Sequence, residues 1–256
     1  GDHERELKAA RSAVSRYPTV DHFWFRLSEL EALLQLGRVE EASRRITDVG
    51  STTDLHWATL ALEEAHLLGA REEARRMAPL LVQRASELAA AEPGEATWIR
   101  HLRARLLLVA GQPKEARQLF SKLVEMATTG KPRRWRLSNL EAIAAAEAGD
   151  PDPARAALSG DLGDDAAIQY GEAEVWRAAL LARLGRKKAA LDAIEVLLAG
   201  HPTWRSRLSA FERWSSRWNS VPATLYVPLI DEPRFRRLLT ASPHPTSSAT
   251  ARADRQ

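Results

Sequence analysis

The chain contains no cysteine among its 256 residues. This absence excludes disulfide bonds, thiol catalysis and thiolate metal sites, and it fits a reducing compartment. Long apolar runs are missing as well, because no stretch has the length of a signal peptide core or of a membrane span. We therefore expect a cytoplasmic protein that has no membrane partner.

An excess of one charge is also missing. The chain has 37 basic and 34 acidic side chains, which gives a formal net charge of +3. Nucleic-acid binders usually concentrate positive charge, so this balance argues against DNA or RNA as the partner. Residues 131–136 mix basic side chains with a tryptophan. This stretch is either a solvated helix start or a site of phosphate and base contacts.

Sequence patterns of catalytic, cofactor and metal sites do not occur. There is no glycine-rich phosphate loop, no His-Glu-x-x-His pair and no Gly-x-Ser-x-Gly turn. His56 and His66 fall on one predicted helix, but they lie about 15 Å apart along its axis and cannot share a metal ion. We predict a protein that is not an enzyme and has no catalytic, cofactor-binding or metal-binding residues.

What the sequence does contain is a repeated turn. Five times, a glycine between two amphipathic stretches is followed five residues later by an alanine. Glycine ends a helix easily because it enters the left-handed conformation, and a small alanine lets two helices approach closely. The glycines are Gly37, Gly69, Gly111, Gly149 and Gly185, and the alanines are Ala42, Ala74, Ala116, Ala154 and Ala190. Glycine spacings of 32 to 42 residues predict an all-α fold of stacked helix pairs.

Prolines follow several of the second helices, with Pro202 coming 17 residues after Gly185. With its prolines, the pattern resembles the tetratricopeptide repeat (TPR), most clearly over residues 178–202 and 28–46. The resemblance covers residues 20–202 and implies a right-handed solenoid of about five helix-turn-helix repeats.

The two ends depart from the repeat. Residues 3–18 predict one helix, either a cap or the second half of a repeat, and we favour a half-repeat within a longer array. Residues 203–239 carry an aromatic stripe, Trp204 to Trp218, that predicts a capping helix. The stretch 231–239 resembles a short ending found after repeat regions of large bacterial signalling proteins. Residues 240–256 lack apolar periodicity, which predicts disorder.

The TPR resemblance also implies a concave groove lined by the first helices. Groove positions lie two or three, six, nine or ten, and thirteen residues before each glycine. Carried over to this chain, they select Trp24, Glu31, His56, Glu63, His66, Trp98, His101, Arg105, Arg136, Asn139, Glu172 and Trp176. Tryptophan and arginine are typical of binding hot spots, but each tryptophan is equally well read as core between repeats. The three histidines could make binding depend on pH.

We therefore expect a non-catalytic scaffold that binds a peptide or partner domain in its groove. The alternative is a regulatory or sensory arm of a multidomain bacterial signalling enzyme, such as a kinase, cyclase or transcription activator. Nucleic-acid binding is a third, weaker hypothesis. A homo-oligomer or a covalently linked signalling domain remains open as the partner. A clamp for C-terminal carboxylates is not expected, since the family's clamp needs asparagine and the chain has only Asn139 and Asn219.

Overall fold

The computed structural model describes residues 2–16, 23–127, 131–160, 171–200 and 228–240. Within these ranges the regular structure is twelve α-helices and short 3-10 turns, such as Pro93–Glu95, without a strand. The predicted all-α class is thereby confirmed. The helices are α1 (His3–Arg16), α2 (Phe23–Gln35), α3 (Val39–Thr47), α4 (Thr52–Leu68), α5 (Arg71–Ala91), α6 (Ala96–Val109), α7 (Pro113–Met126), α8 (Lys131–Glu147), α9 (Asp152–Ser159), α10 (Glu172–Arg183), α11 (Lys187–Gly200) and α12 (Pro233–Thr240).

The predicted glycine turns are present between these helices. All five glycines have positive φ, from 67° at Gly37 to 121° at Gly69. The turn at Gly111 is typical: the Gly111 N–H donates to the Leu108 carbonyl at 3.1 Å, and the Gln112 N–H donates to the Leu107 carbonyl at 2.8 Å. This pair of bonds satisfies carbonyls that the helix end leaves open. The five alanines are 0% exposed, as expected for positions of close helix contact.

Helices pack mainly on their neighbours in the chain. The helices on the two sides of each glycine contact one another, as α4 does with α5 and α6 with α7. The helices that precede the glycines, called first helices below, also meet directly: α2 packs on α4, α4 on α6, and α8 on α10. Side chains on adjacent first helices are therefore placed opposite one another.

The apolar core forms two clusters that meet at α6. Leu102 and Leu106 belong to the cluster with α1–α5, whereas Leu107 and Leu108 belong to the cluster that extends to α12. Because α6 contributes to both clusters, it is buried along most of its length. No helix in the described ranges is long and apolar enough to cross a membrane.

The ends of the chain are described only in part. α1 ends at Arg16 and buries Leu7 and Ala10. The predicted aromatic helix with Trp204 and Trp218 lies outside the described residues, as does the tail beyond residue 240. In α12, Phe235 is 0% exposed, so the stretch singled out in the sequence contributes to the core.

Candidate functional site along the first helices

Most predicted groove residues are buried between helices. Nine of the twelve are less than 10% exposed. His56 and Arg136 are partly buried, and the side chain of Trp24 lies outside the described part of the chain. Two clusters contain eight of these residues: the α4–α6 cluster (His56, Glu63, Trp98, His101 and Arg105) and the α8–α10 cluster (Arg136, Glu172 and Trp176).

A fully buried ion pair lies at the centre of the α4–α6 cluster. The Arg105 Nε donates to Glu63 Oε1 at 2.8 Å, and its Nη2 donates to Glu63 Oε2. The two side chains are 0% and 1% exposed. Burying either charge alone is costly, so each depends on the bidentate geometry of the pair. In this position the pair fixes α6 against α4.

Aromatic rings continue this cluster. The His56 and Trp98 rings meet edge to face at 5.3 Å, and Trp98 stacks on His101 at 5.1 Å between centroids. His101 in turn meets Phe120 of α7 edge to face at 6.1 Å. These separations are typical of favourable ring pairs. The stack therefore links α4, α6 and α7.

The α8–α10 cluster has the same arrangement, an arginine–glutamate pair beside aromatic rings, built from different residues. Arg136 donates to both carboxylate oxygens of Glu172, at 2.5 and 2.7 Å. Glu172 also accepts a hydrogen bond from Trp176 Nε1 at 3.0 Å, and Trp176 meets Trp135 edge to face at 6.2 Å. Glu172 lies in the first turn of α10, where the helix dipole favours a negative charge.

In both clusters, residues at equal distances before successive glycines contact one another. Glu63 and Arg105 each lie six residues before a glycine. His56 and Trp98 each lie thirteen residues before a glycine, as do Arg136 and Glu172. The register taken from the glycines therefore identified residues that contact each other across successive first helices.

Three predicted residues stay outside these clusters. Glu31 is 4% exposed in α2. His66 Nδ1 and Asn139 Nδ2 are buried and have no hydrogen-bond partner among the described residues. The pKa of His66 is lowered to about 4, first because burial desolvates the ring and then because Arg75, Arg71 and Arg183 repel its charged form.

The sequence prediction did not select the residues of two further ionic contacts, each of which joins a buried side chain to a more exposed one. Glu147 pairs with Arg183 at 2.6 Å, and burial raises the pKa of the Glu147 carboxyl. Both residues lie two positions before a glycine, so the same register could have identified them. Glu29, 3% exposed, accepts hydrogen bonds from Arg11 and Arg45 at 2.9 Å each. No periodic signal marks this second contact, because Arg11 precedes the first glycine turn.

Across the described ranges, no group of three or more His, Asp or Glu side chains could hold a metal ion. Comparisons with protein-family models, curated proteins and solved structures found no match to this chain.

Proposed function

We propose that the chain is a TPR-like, right-handed solenoid of about five helix pairs that serves as a non-catalytic scaffold for a peptide or a partner domain. The proposal rests on one observation, the contact of equivalent positions in successive first helices. Repeats stacked in this way present a surface that lengthens with each added pair, which suits binding more than catalysis.

The partner has to use side chains that remain accessible. Trp98 and Arg105 contact other helices of the same chain, so changing them tests folding more than binding. Accessible arginines lie near the starts of α6 and α8, at Arg100 and Arg134, and Met126 is exposed at the end of α7. We name these three exposed residues the basic edge.

The composition of the basic edge favours an acidic peptide with an apolar side chain. The Arg100 Nη1 lies 4.0 Å from the Met126 sulfur, and Met126 is 48% exposed. Arg134 is exposed in the first turn of α8. Arginine is a frequent hot-spot residue, and methionine adapts its shape to varied apolar partners.

Peptide selection tests this proposal. A displayed library of random peptides, selected on the full chain, should yield acidic sequences. The double substitution Arg100→Glu and Arg134→Glu should reverse that charge preference. The control is Arg177→Glu, which changes an exposed arginine on α10 and should leave the selected sequences unchanged. Selection without charge preference, or an equal effect of the control, contradicts the proposal.

Nucleic-acid binding is the competing hypothesis for the basic edge. Single-stranded oligonucleotides that bind more tightly than the selected peptides, with affinity falling steeply as salt rises, would favour this weaker hypothesis.

The alternative role, a regulatory arm of a multidomain signalling enzyme, rests on the resemblance of residues 231–239 to the ends of such repeat regions. Reading the gene on both sides of the encoded segment tests it. A kinase, cyclase or transcription-activator domain in the same reading frame would support the alternative, and flanking stop codons would contradict it.

A further inference from the structure

The segment 228–240 contacts two distant parts of the chain. Its helix α12 packs on α11. On the other side, the Asp231 carboxylate lies 3.5 Å from the Arg71 guanidinium at the start of α5. These two residues are 160 positions apart in the sequence. The segment therefore connects α5 to α11.

The attachment to α11 consists of several short ion pairs. The Arg234 guanidinium lies 2.7 Å from the Asp192 carboxylate and 2.6 Å from that of Glu195. Lys187 and Glu232 form another pair at 2.7 Å. Because one guanidinium binds two carboxylates of the same helix, the position of α12 on α11 is fixed from more than one point.

The segment also belongs to the apolar core that α11 helps to form. Leu229 and Phe235 are 0% exposed and lie in the same core cluster as Ile194 of α11. The buried side chains of α5, such as Met77, lie in the other cluster. The segment is thus part of one core cluster and reaches a helix of the other.

The attachment to α5 is looser. The pair of Asp231 with Arg71 is longer than the pairs on α11, and the Asp231 side chain is 74% exposed. A cleft of about 390 Å³, lined by Ile230 and Asp231 on one side and by Gly69 and Arg71 on the other, lies at this contact. An exposed pair beside open space stabilises a contact only weakly.

Breaking this contact leaves neither charge buried alone. Asp231 also lies 3.3 Å from Arg236 of its own segment, so it keeps a cationic partner when Arg71 moves away. Arg71 is 32% exposed and gains water in exchange for the carboxylate. The large cost of an unpaired buried charge therefore does not oppose separation of the segment from α5.

We propose that the segment 228–240 is a clasp that opens at α5 while it stays attached to α11. In the closed form, the Arg71–Asp231 contact holds α5 at a fixed distance from the segment. In the open form, the two core clusters, which share α6, change their relative position. This exchange between two forms needs no ligand and does not depend on the scaffold function.

Distances between two spin labels, measured by pulsed electron paramagnetic resonance, test the clasp. The chain has no cysteine, so two introduced cysteines carry the labels. Ala90→Cys with Pro233→Cys places one label on the exposed surface of α5 and the other at the exposed start of α12. We expect a closed and an open distance. Asp231→Asn should raise the ratio of open to closed molecules about twofold to fivefold, and NaCl at about 1 M should also raise it, because salt screens exposed charges.

Ala156→Cys with Pro233→Cys is the control label pair, because Ala156 is exposed on α9, which contributes to the same core cluster as α11. Its distance should stay single and independent of salt. Asp152→Asn breaks an exposed pair on α9 and should leave the Ala90–Pro233 distances unchanged. Retained helicity and melting temperature would exclude misfolding of any variant. Ala90–Pro233 distances that Asp231→Asn does not change, or equal shifts of the two label pairs, would overturn the proposal.

Discussion

At the residue scale, a buried guanidinium–carboxylate pair is more costly to break than to replace. Glu63 and Arg105 are almost wholly removed from solvent, so losing one partner leaves the other charge uncompensated. We therefore expect the pair to determine which residues of α4 and α6 face one another, and to add little to the net free energy of unfolding.

We predict that Glu63→Gln lowers the free energy of unfolding by about 3 kcal/mol or more, because it leaves Arg105 buried without its counter-charge. The double replacement Glu63→Leu with Arg105→Met should recover most of this loss. Urea unfolding measures both changes. Asp152→Asn, which breaks an exposed pair, serves as the control and should cost at most about 1 kcal/mol. Equal losses in the single and double variants would contradict this account of the pair.

His66 predicts a pH dependence of stability. Its pKa in the folded chain is about 4, against 6.5 for the free side chain. Between these values the unfolded chain takes up a proton that the folded chain does not, so stability falls as the pH falls through this window. Relative to His66→Gln, the chain should lose about 2 kcal/mol between pH 7 and pH 5, measured by urea unfolding. Parallel pH profiles of the two proteins would show that His66 is not the cause.

At the element scale, the glycine turns determine where each first helix ends and in which direction the following helix runs. Gly111 has φ of +73°, a conformation that other L-residues rarely adopt, and space around it is open. The requirement for glycine there comes from the backbone, not from a steric clash.

Gly111→Ala should therefore lower the free energy of unfolding by about 1 kcal/mol, the cost of placing a Cβ in the left-handed region. Gly94→Ala is the matched control: its surroundings are equally open, but its φ is not positive. Chemical denaturation of the two variants checks the difference. If Gly94→Ala is destabilised as much as Gly111→Ala, the cost at Gly111 does not come from its positive φ.

At the scale of the whole molecule, two apolar clusters share α6, and α12 closes the second cluster through Phe235. Helices that contact mainly their neighbours in the chain can unfold in parts. A substitution should therefore destabilise the helices near it in the chain more than distant ones.

Phe235→Ala should speed amide hydrogen exchange in α10 and α11 while leaving α2 and α3 close to wild type. The substitution removes a fully buried ring and should cost about 3 kcal/mol locally. Hydrogen exchange followed by mass spectrometry resolves these helices. Equal acceleration in α2 and α11 would mean that the two clusters unfold as one unit.

The sequence predicted the helices and their glycine ends, and the glycine register selected Glu63, Arg105, Arg136 and Glu172 as groove residues without predicting that they pair. They pair because positions at equal distances before successive glycines lie opposite one another. The sequence did not select Glu29 or Arg11, since that contact joins α2 to a helix outside the glycine register. It also gave no indication that Asp231 lies beside Arg71, because 160 residues separate them in the chain.

The helical class and the helix ends follow from the sequence alone, because glycine conformation and apolar periodicity act over a few residues. Which first-helix side chains are covered depends on the tertiary contacts of each helix. Periodicity places Trp98 and Arg105 on a face of α6, but burial depends on what other helices bring against that face. For that reason the predicted groove residues lie mostly in helix contacts, whereas Arg100 and Arg134 of the basic edge remain exposed.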